Sequence, residues 1–358
     1  MRYIWLLFGL LCWACEPEGE AFTDEGIPVF RLTSEIVELS TDLGMHADVF
    51  LLHDLPVILE SVYDGPYLVK IFNWEGELLN AFGQVGRGDG PGQFISLNPL
   101  VFDPELDMLS LFDQMSKKLY RLPWKYALEP EPLEKAHLVD LSDKLMTLDN
   151  TFWFSDTQVV SLNAFTGDDK ISFINPSSGT KKTWGKLPAK PHPRIEDFVH
   201  YQAHQGHLIK IPFQPLLAFG YTFADKILLI DPAQPEPLAK MGPQRFEPVY
   251  DTSEGDHFYL TGETRHGYRQ LTASKRHILA LFPNKTLRDT KNDGMQAATS
   301  QELHLFDLNG AKVRRYLLDK PIISLSVNPE ETLLLALEYN EKGEVNLLKY
   351  ELPVFDEG

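Results

Sequence analysis

The densest chemistry-bearing spacing in the chain is His200-x3-His204-x2-His207, with His192, Glu196 and Asp197 just upstream. Imidazoles four residues apart on a helix share a face and can hold zinc between them. His200, His204 and His207 are therefore a candidate site for a divalent metal, the one cofactor the sequence suggests. A metalloprotease helix would place glutamate directly after the first histidine as general base, and Tyr201 stands there instead. Gly206 is expected to end the helix, which takes His207 off the shared face. Histidines on the surface or packed between elements are the competing reading.

A second group is basic. Arg265, His266, Arg269 and Arg276 lie close together in a chain of formal charge −18. Guanidinium groups capture carboxylate or phosphate, whereas the competing reading is an ion-paired face. Among the aromatics, Trp74 sits in a turn and is the best exposed candidate for stacking on a sugar. Trp124, Trp153, Trp184, Tyr201, Tyr221 and Tyr268 mostly fall on or beside strands, where packing is their ordinary role. Asp289-x-Lys291-x-Asp293-Gly294 has the outline of a calcium loop. It puts Lys291 where a ligand oxygen is needed and Ser300 where the bidentate glutamate belongs.

The third candidate is the stretch from Phe82 to Phe94, which holds five glycines and a proline between two phenylalanines. A phosphate-binding loop needs Lys-Ser/Thr and a helix after its last glycine, and here Gln93-Phe94 follows Gly92. Such glycine density fits a tight connection between two apolar strands. Arg87 and Asp89 are the side chains in it with most to offer a ligand. No Gly-x-Ser-x-Gly elbow is present, and both cysteines, Cys12 and Cys15, lie in the N-terminal segment. A standard acyl-transfer hydrolase is therefore not expected.

The elements that must position these residues are strands. From Glu25 onward short β-rich runs alternate with Gly, Pro, Asn and Asp clusters, and long helical periodicity is absent. The runs fall into six groups of three or four. The third strand of five groups is read as ending at Phe72-Asn73, Phe112-Asp113, Ile174-Asn175, Ile230-Asp231 and Phe306-Asp307, each placing an Asx residue at the start of a turn. This pattern predicts an all-β, six-bladed β-propeller. The sixth group lacks a fourth strand, and the N-terminal run from Phe30 to Leu39 has no group of its own. The N-terminal strand is expected to complete the last blade and close the ring. A short helix is expected over 193–205, and 283–300 reads as a polar insertion in the fifth blade.

The chain begins with one arginine, an apolar run from Ile4 to Ala14, Cys15, and then Glu16-Pro17-Glu18-Gly19-Glu20. That run is too short to span a bilayer and reads as a secretory signal. Ala14-Cys15 resembles a lipoprotein cleavage site, although Cys12 and Trp13 depart from its usual upstream residues. Residues 1–14 are thus expected to be a signal peptide, 15–27 a tether from a lipidated Cys15, and 28–354 the propeller. Glu16, Glu18 and Glu20 resemble the surface-export signal of Bacteroidetes lipoproteins. An acidic chain of this kind is not a nucleic-acid binder.

Gly86-x-Gly88-x-Gly90-Pro91-Gly92-Gln93-Phe94 resembles the glycine-proline element of TolB-like six-bladed propeller lipoproteins, and more loosely that of NHL-type propellers. Asp89 is an insertion relative to that element. Gln205-Gly206-His207-Leu208, Ile278-Leu279-Ala280-Leu281-Phe282, Leu305-Phe306-Asp307-Leu308-Asn309-Gly310 and Leu317-Leu318-Asp319-Lys320-Pro321-Ile322 are similar to other parts of the same family. The resemblance implies a propeller lipoprotein of the bacterial cell envelope, in the outer membrane and in some cases surface-exposed. It implies no specific activity. Two functions remain open: a binding or scaffolding module for a protein or glycan, held to the membrane by its lipid, and a metal-assisted lyase or lactonase acting on a carbohydrate or lactone.

Overall fold

The computed structural model describes residues 26–61, 63–87, 92–142, 148–163, 169–251, 259–291, 299–340 and 342–354. The signal and Cys15 lie outside these residues.

One strand-ending turn in each blade is pinned by an Asx side chain. Asn73 accepts from the Glu77 amide at 2.8 Å. Asp113 accepts from the amides of Ile95, Ser96, Met115 and Ser116 at 2.9–3.3 Å. Asn175 accepts from Ser177 and Ser178, Asp231 from Ala233, and Asp307 from Asn309 and Ala311. A sixth turn, not singled out in the sequence, has Asn340 accepting from Lys342 and Glu344. The carboxylate or amide oxygen takes the N–H groups that the turn would otherwise leave unpaired, so the hairpin forms locally. In blades two and six this turn follows the second strand rather than the third, and so lies at the opposite end of the blade.

Between these turns the chain folds into six antiparallel meanders. Blade one holds Asp48–Leu52, Leu55–Leu59, Tyr67–Phe72 and Leu78–Val85; blade two holds Leu97–Asp103, Met108–Asp113, Lys118–Pro123 and His137–Asp140. Blade three holds Leu148–Trp153, Val159–Asn163, Asp169–Ile174 and Lys181–Lys186; blade four holds Gly206–Lys210, Leu217–Tyr221, Ile227–Ile230 and Ala239–Met241. Blade five holds Gln270–Ala273, His277–Leu281, Ser300–Asp307 and the first half of the long strand Lys312–Val327. The second half of that strand opens blade six, followed by Leu333–Tyr339 and Val345–Glu351. The N-terminal run is divided between two blades, which the long strand Lys312–Val327 joins into one sheet. Val29–Leu32 runs parallel to 315–318 on blade five, and Glu35–Val37 pairs antiparallel with 347–349 as the outer strand of blade six.

The core is a ring of six apolar clusters among the described residues, one at each junction of neighbouring blades. Phe82 and Phe94 are buried between blades one and two, where Gln93–Phe94 folds back parallel to Leu78–Val85. Gly83, at φ +77°, permits that path. The last junction packs Leu335, Leu337 and Leu347 of blade six on Val49, Leu51, Ile58 and Phe72 of blade one. Each sheet is apolar on both faces because a blade is covered on either side by a neighbour, which explains the near-continuous hydrophobic strands.

The expected helix over 193–205 is shorter, Asp197–Ala203, and His204 rather than Gly206 caps its C-terminus. Gly206 starts the first strand of blade four, where an added Cβ would meet the Gly220 carbonyl oxygen at 2.0 Å. In the insertion of blade five, Thr286 and Asp289 form a reciprocal capping box that starts a short helix, Leu287–Thr290.

Candidate functional site

The first strand of each blade runs along the propeller axis, and three of them carry polar side chains at or just before their starts. At their starts stand Asp48 in blade one, His207 in blade four and Arg269 just before blade five. Neighbouring inner strands are stitched by side chains. Ser324 accepts from the Val49 amide and from the Gln270 side chain at 3.0 Å each, and Gln270 accepts from the Leu325 amide at 2.9 Å. Burial pushes the Asp48 carboxyl up, opposed by its hydrogen bond with Ser324 and the charge of Arg269. Burial, then the charge of Arg269, holds the His207 imidazole down at about 4. This end of the axis is therefore polar, with its histidine held neutral at pH 7.

At the other end the axis widens into a bowl of about 340 Å³. Phe50, Leu52, Phe102, Ile209, Phe213 and Val327 line it, brought together from blades one, two, four and six. Phe213 is 44% exposed and adopts a left-handed backbone at φ +60° in the turn after the first strand of blade four. The rim is charged, with exposed Asp54 beside two ion pairs. His53 meets Asp107 at 2.6 Å, and Lys275 meets Glu330 at 3.0 Å while lying 4.8 Å above the Phe213 ring. Lower down, a buried ion pair between Lys210 and Asp103 joins blade four to blade two. A mainly apolar wall suits an apolar side chain entering from solvent.

The residues singled out in the sequence are distributed as follows. His200 and His204 come together, with ring centroids 4.7 Å apart. His200 contacts the Pro188 carbonyl at 2.7 Å and the Tyr250 hydroxyl at 3.1 Å, so both its ring nitrogens are engaged. Tyr250 also reaches His204 at 3.4 Å. His207 belongs to the axial strand instead, because Gly206 has already left the helix. No group of three or more His, Cys, Asp or Glu side chains able to hold a metal occurs among the described residues.

The basic group does not form one patch. Arg269 enters the axial channel, while Arg276 sits in the turn at the other end of the same inner strand. Arg265 is exposed and donates to the Asn284 carbonyl at 3.2 Å. His266 is buried against Phe223, and burial holds its ring at about 4. Trp74 is half-buried at the junction of blades one and six, with the Lys349 amine 5.6 Å above it, and is not an open platform. Arg87 is exposed beside the glycine stretch, and Asp89 lies outside the described residues.

The bowl was not visible in the sequence as a site. Its signal is the apolar residues kept at the ends of inner strands, as in Leu52-His53-Asp54, Phe102-Asp103-Pro104 and Ile211-Pro212-Phe213. Alone, each looks like the last core residue before a turn.

The family model described as TolB-like 6-blade propeller-like matches residues 72–330. A Bacteroides fragilis protein described as exported is similar in structure, at 13% identity and a TM-score of 0.54, over 91% of this chain and 99% of that one. A DUF4221-family protein of Bacteroides vulgatus is similar at 11% identity and a TM-score of 0.53, over 92% and 98% respectively. At these identities the likeness concerns the fold. No curated protein matches the chain.

Proposed function

We propose that this chain, which belongs to the TolB-like six-bladed propeller family, is a binding or scaffolding protein of the bacterial envelope whose axial bowl receives an apolar side chain of a protein partner. One observation carries the reading: a mainly apolar concavity with Phe213 standing exposed on its wall. An apolar side chain seated there is stabilised by burying surface at roughly 25 cal/mol per Å². The metal-assisted lyase or lactonase reading has less behind it, since it rests on His200 and His204 alone.

The envelope location is supported by the signal-like run before Cys15 and by the exported description of the B. fragilis neighbour. Lipidation of Cys15 and outer-membrane placement belong to the same proposal. Cys15→Ser is expected to move the protein from the detergent phase to the aqueous phase on Triton X-114 partition.

A photocrosslinking residue placed at Phe213 in cells tests the binding reading. A discrete adduct is expected there and not at Tyr63, which is exposed in a turn of blade one. Equal labelling at both positions, or none at Phe213, sinks it.

A further inference from the structure

A groove of about 820 Å³ opens at the outer side of blades three and four. Lys170, Lys182, Lys186, Lys226 and Lys240 line it, although the chain as a whole is strongly acidic. Lys182 donates to the Pro232 carbonyl at 2.8 Å, and Lys226 pairs with Glu247 at 2.9 Å. Lys186 and Lys240 are exposed and make no ion pair among the described residues.

Lys170 is different from the other four. It is 5% exposed, and its Nζ is buried with no hydrogen-bond partner among the described residues. It projects from the third strand of blade three onto blade four, 3.6 Å from the ring centre of Tyr221 and 3.9 Å from that of Phe219. Ring faces attract a cation but accept no ordinary hydrogen bond. A buried amine without an acceptor loses its hydration uncompensated. Burial, then the charge of Lys226, holds the Lys170 amine well below the usual lysine range, with Glu247 opposing. His204 lies close enough to feel the charges of Lys170 and Lys226, and its Nδ1 is a second buried nitrogen without a partner. Thr183 and Gln244 add hydroxyl and amide groups to the lining. Asp169 and Glu236 also line the groove, but five lysines outnumber them, and neither carboxylate reaches the buried Lys170 amine.

We propose that this groove binds a small organic anion, bearing a carboxylate or a phosphate, whose anionic oxygens accept from the Lys170 amine. Lys186 and Lys240 contribute attraction at the entrance. The groups facing Lys170 are Asp169, Lys182 and Lys186 from blade three, Tyr221, Lys226, Glu236 and Lys240 from blade four, and Glu247 and His204 from the segments packed beside them. An anion among them favours the charged amine, so binding is coupled to proton uptake at Lys170 and tightens as pH falls.

Calorimetric titration of the purified protein tests this with digalacturonate, glucose 6-phosphate and neutral cellobiose as probes, in two buffers of different ionisation enthalpy. At least one acidic probe is expected to bind with proton uptake, and cellobiose is not. Binding of digalacturonate alone assigns a carboxylate ligand, and binding of the sugar phosphate alone assigns a phosphate. Lys170→Met is expected to lower affinity at least tenfold and abolish the proton uptake. A lysine that merely packs against two rings would leave the proton count unchanged. No binding of either acidic probe, cellobiose binding as tightly as they do, or unaltered affinity and proton count in Lys170→Met overturns the proposal. If Lys170→Met does not fold, the exposed pair Lys186→Gln/Lys240→Gln serves instead: a severalfold loss of affinity supports the site, and no change overturns it.

Discussion

The Ser324 hydroxyl accepts a hydrogen bond from the Val49 amide at 3.0 Å, joining the first strand of blade six to the first strand of blade one across 275 residues of sequence. Ser326 repeats the contact with Leu51 one pleat further on. The ring is therefore stitched at its seam by backbone-to-hydroxyl bonds as well as by the apolar cluster between these blades. Removing Ser324 leaves a buried N–H unsatisfied. Ser324→Ala is expected to cost about 1–3 kcal/mol, read as a lower urea midpoint with an unchanged slope. A midpoint equal to that of wild type would show that the seam is held by packing alone.

The N-terminal strands put a second load on the same region. Leu32 is buried between blades five and six, Ser34 hydrogen-bonds to Asp319 at 3.1–3.2 Å, and Glu35–Val37 covers the edge of blade six. A chain beginning at residue 41 loses all three. Its stability is expected to fall by about 3 kcal/mol or more, since loss of one buried leucine side chain alone costs roughly 2–5 kcal/mol. Melting at the wild-type temperature would show that the ring does not depend on this strand for closure.

Asp113 is the most heavily used of the six turn residues, with a fully buried carboxylate and four amide donors. It fixes both its own hairpin and the entry of the chain into blade two at Ile95 and Ser96. Asp113→Ala is expected to destabilise by about 3 kcal/mol or more, whereas Asp231→Ala, at an exposed turn with one such contact, should cost about 1 kcal/mol or less. Chemical denaturation of both variants gives the comparison, and equal effects would refute it.

Stability should also fall in mild acid. His204 is held at about 3 and His266 at about 4, both first by burial, while an unfolded histidine titrates near 6.5. Below pH 6.5 the unfolded chain binds protons that these folded rings refuse. Their contribution is thus complete above pH 6.5 and declines as pH falls towards 4, by about 1.4 kcal/mol per pH unit for each ring. Urea midpoints measured at pH 7, 6 and 5 should decrease, and His266→Gln should flatten the trend. Midpoints independent of pH over that range would contradict it.

Legibility in the sequence followed the range of the interactions. The Asx turns are set by a side chain and amides two to four residues away, so Asn73, Asp113, Asn175, Asp231 and Asp307 could be read directly. Asn340 carries the same chemistry in Tyr339-Asn340 but was masked by the charged residues around it. The glycine stretch was legible as a blade junction because its phenylalanines bracket it. His137–Asp140 was missed because two short 3-10 turns, Trp124–Tyr126 and Pro132–Lys135, separate it from its blade.

The sequence by itself determined the all-β class, the number of blades and the positions of their turns, because strand alternation and turn chemistry are local properties of the chain. Only the tertiary structure decided which side chains meet. It sent His207 and Arg269 to the axis, scattered Arg265 and Arg276, assembled a bowl from blades far apart in sequence, and buried Lys170 against blade four. Each of those outcomes depends on the face that the neighbouring blade presents, and that face is built from residues about fifty positions or more away.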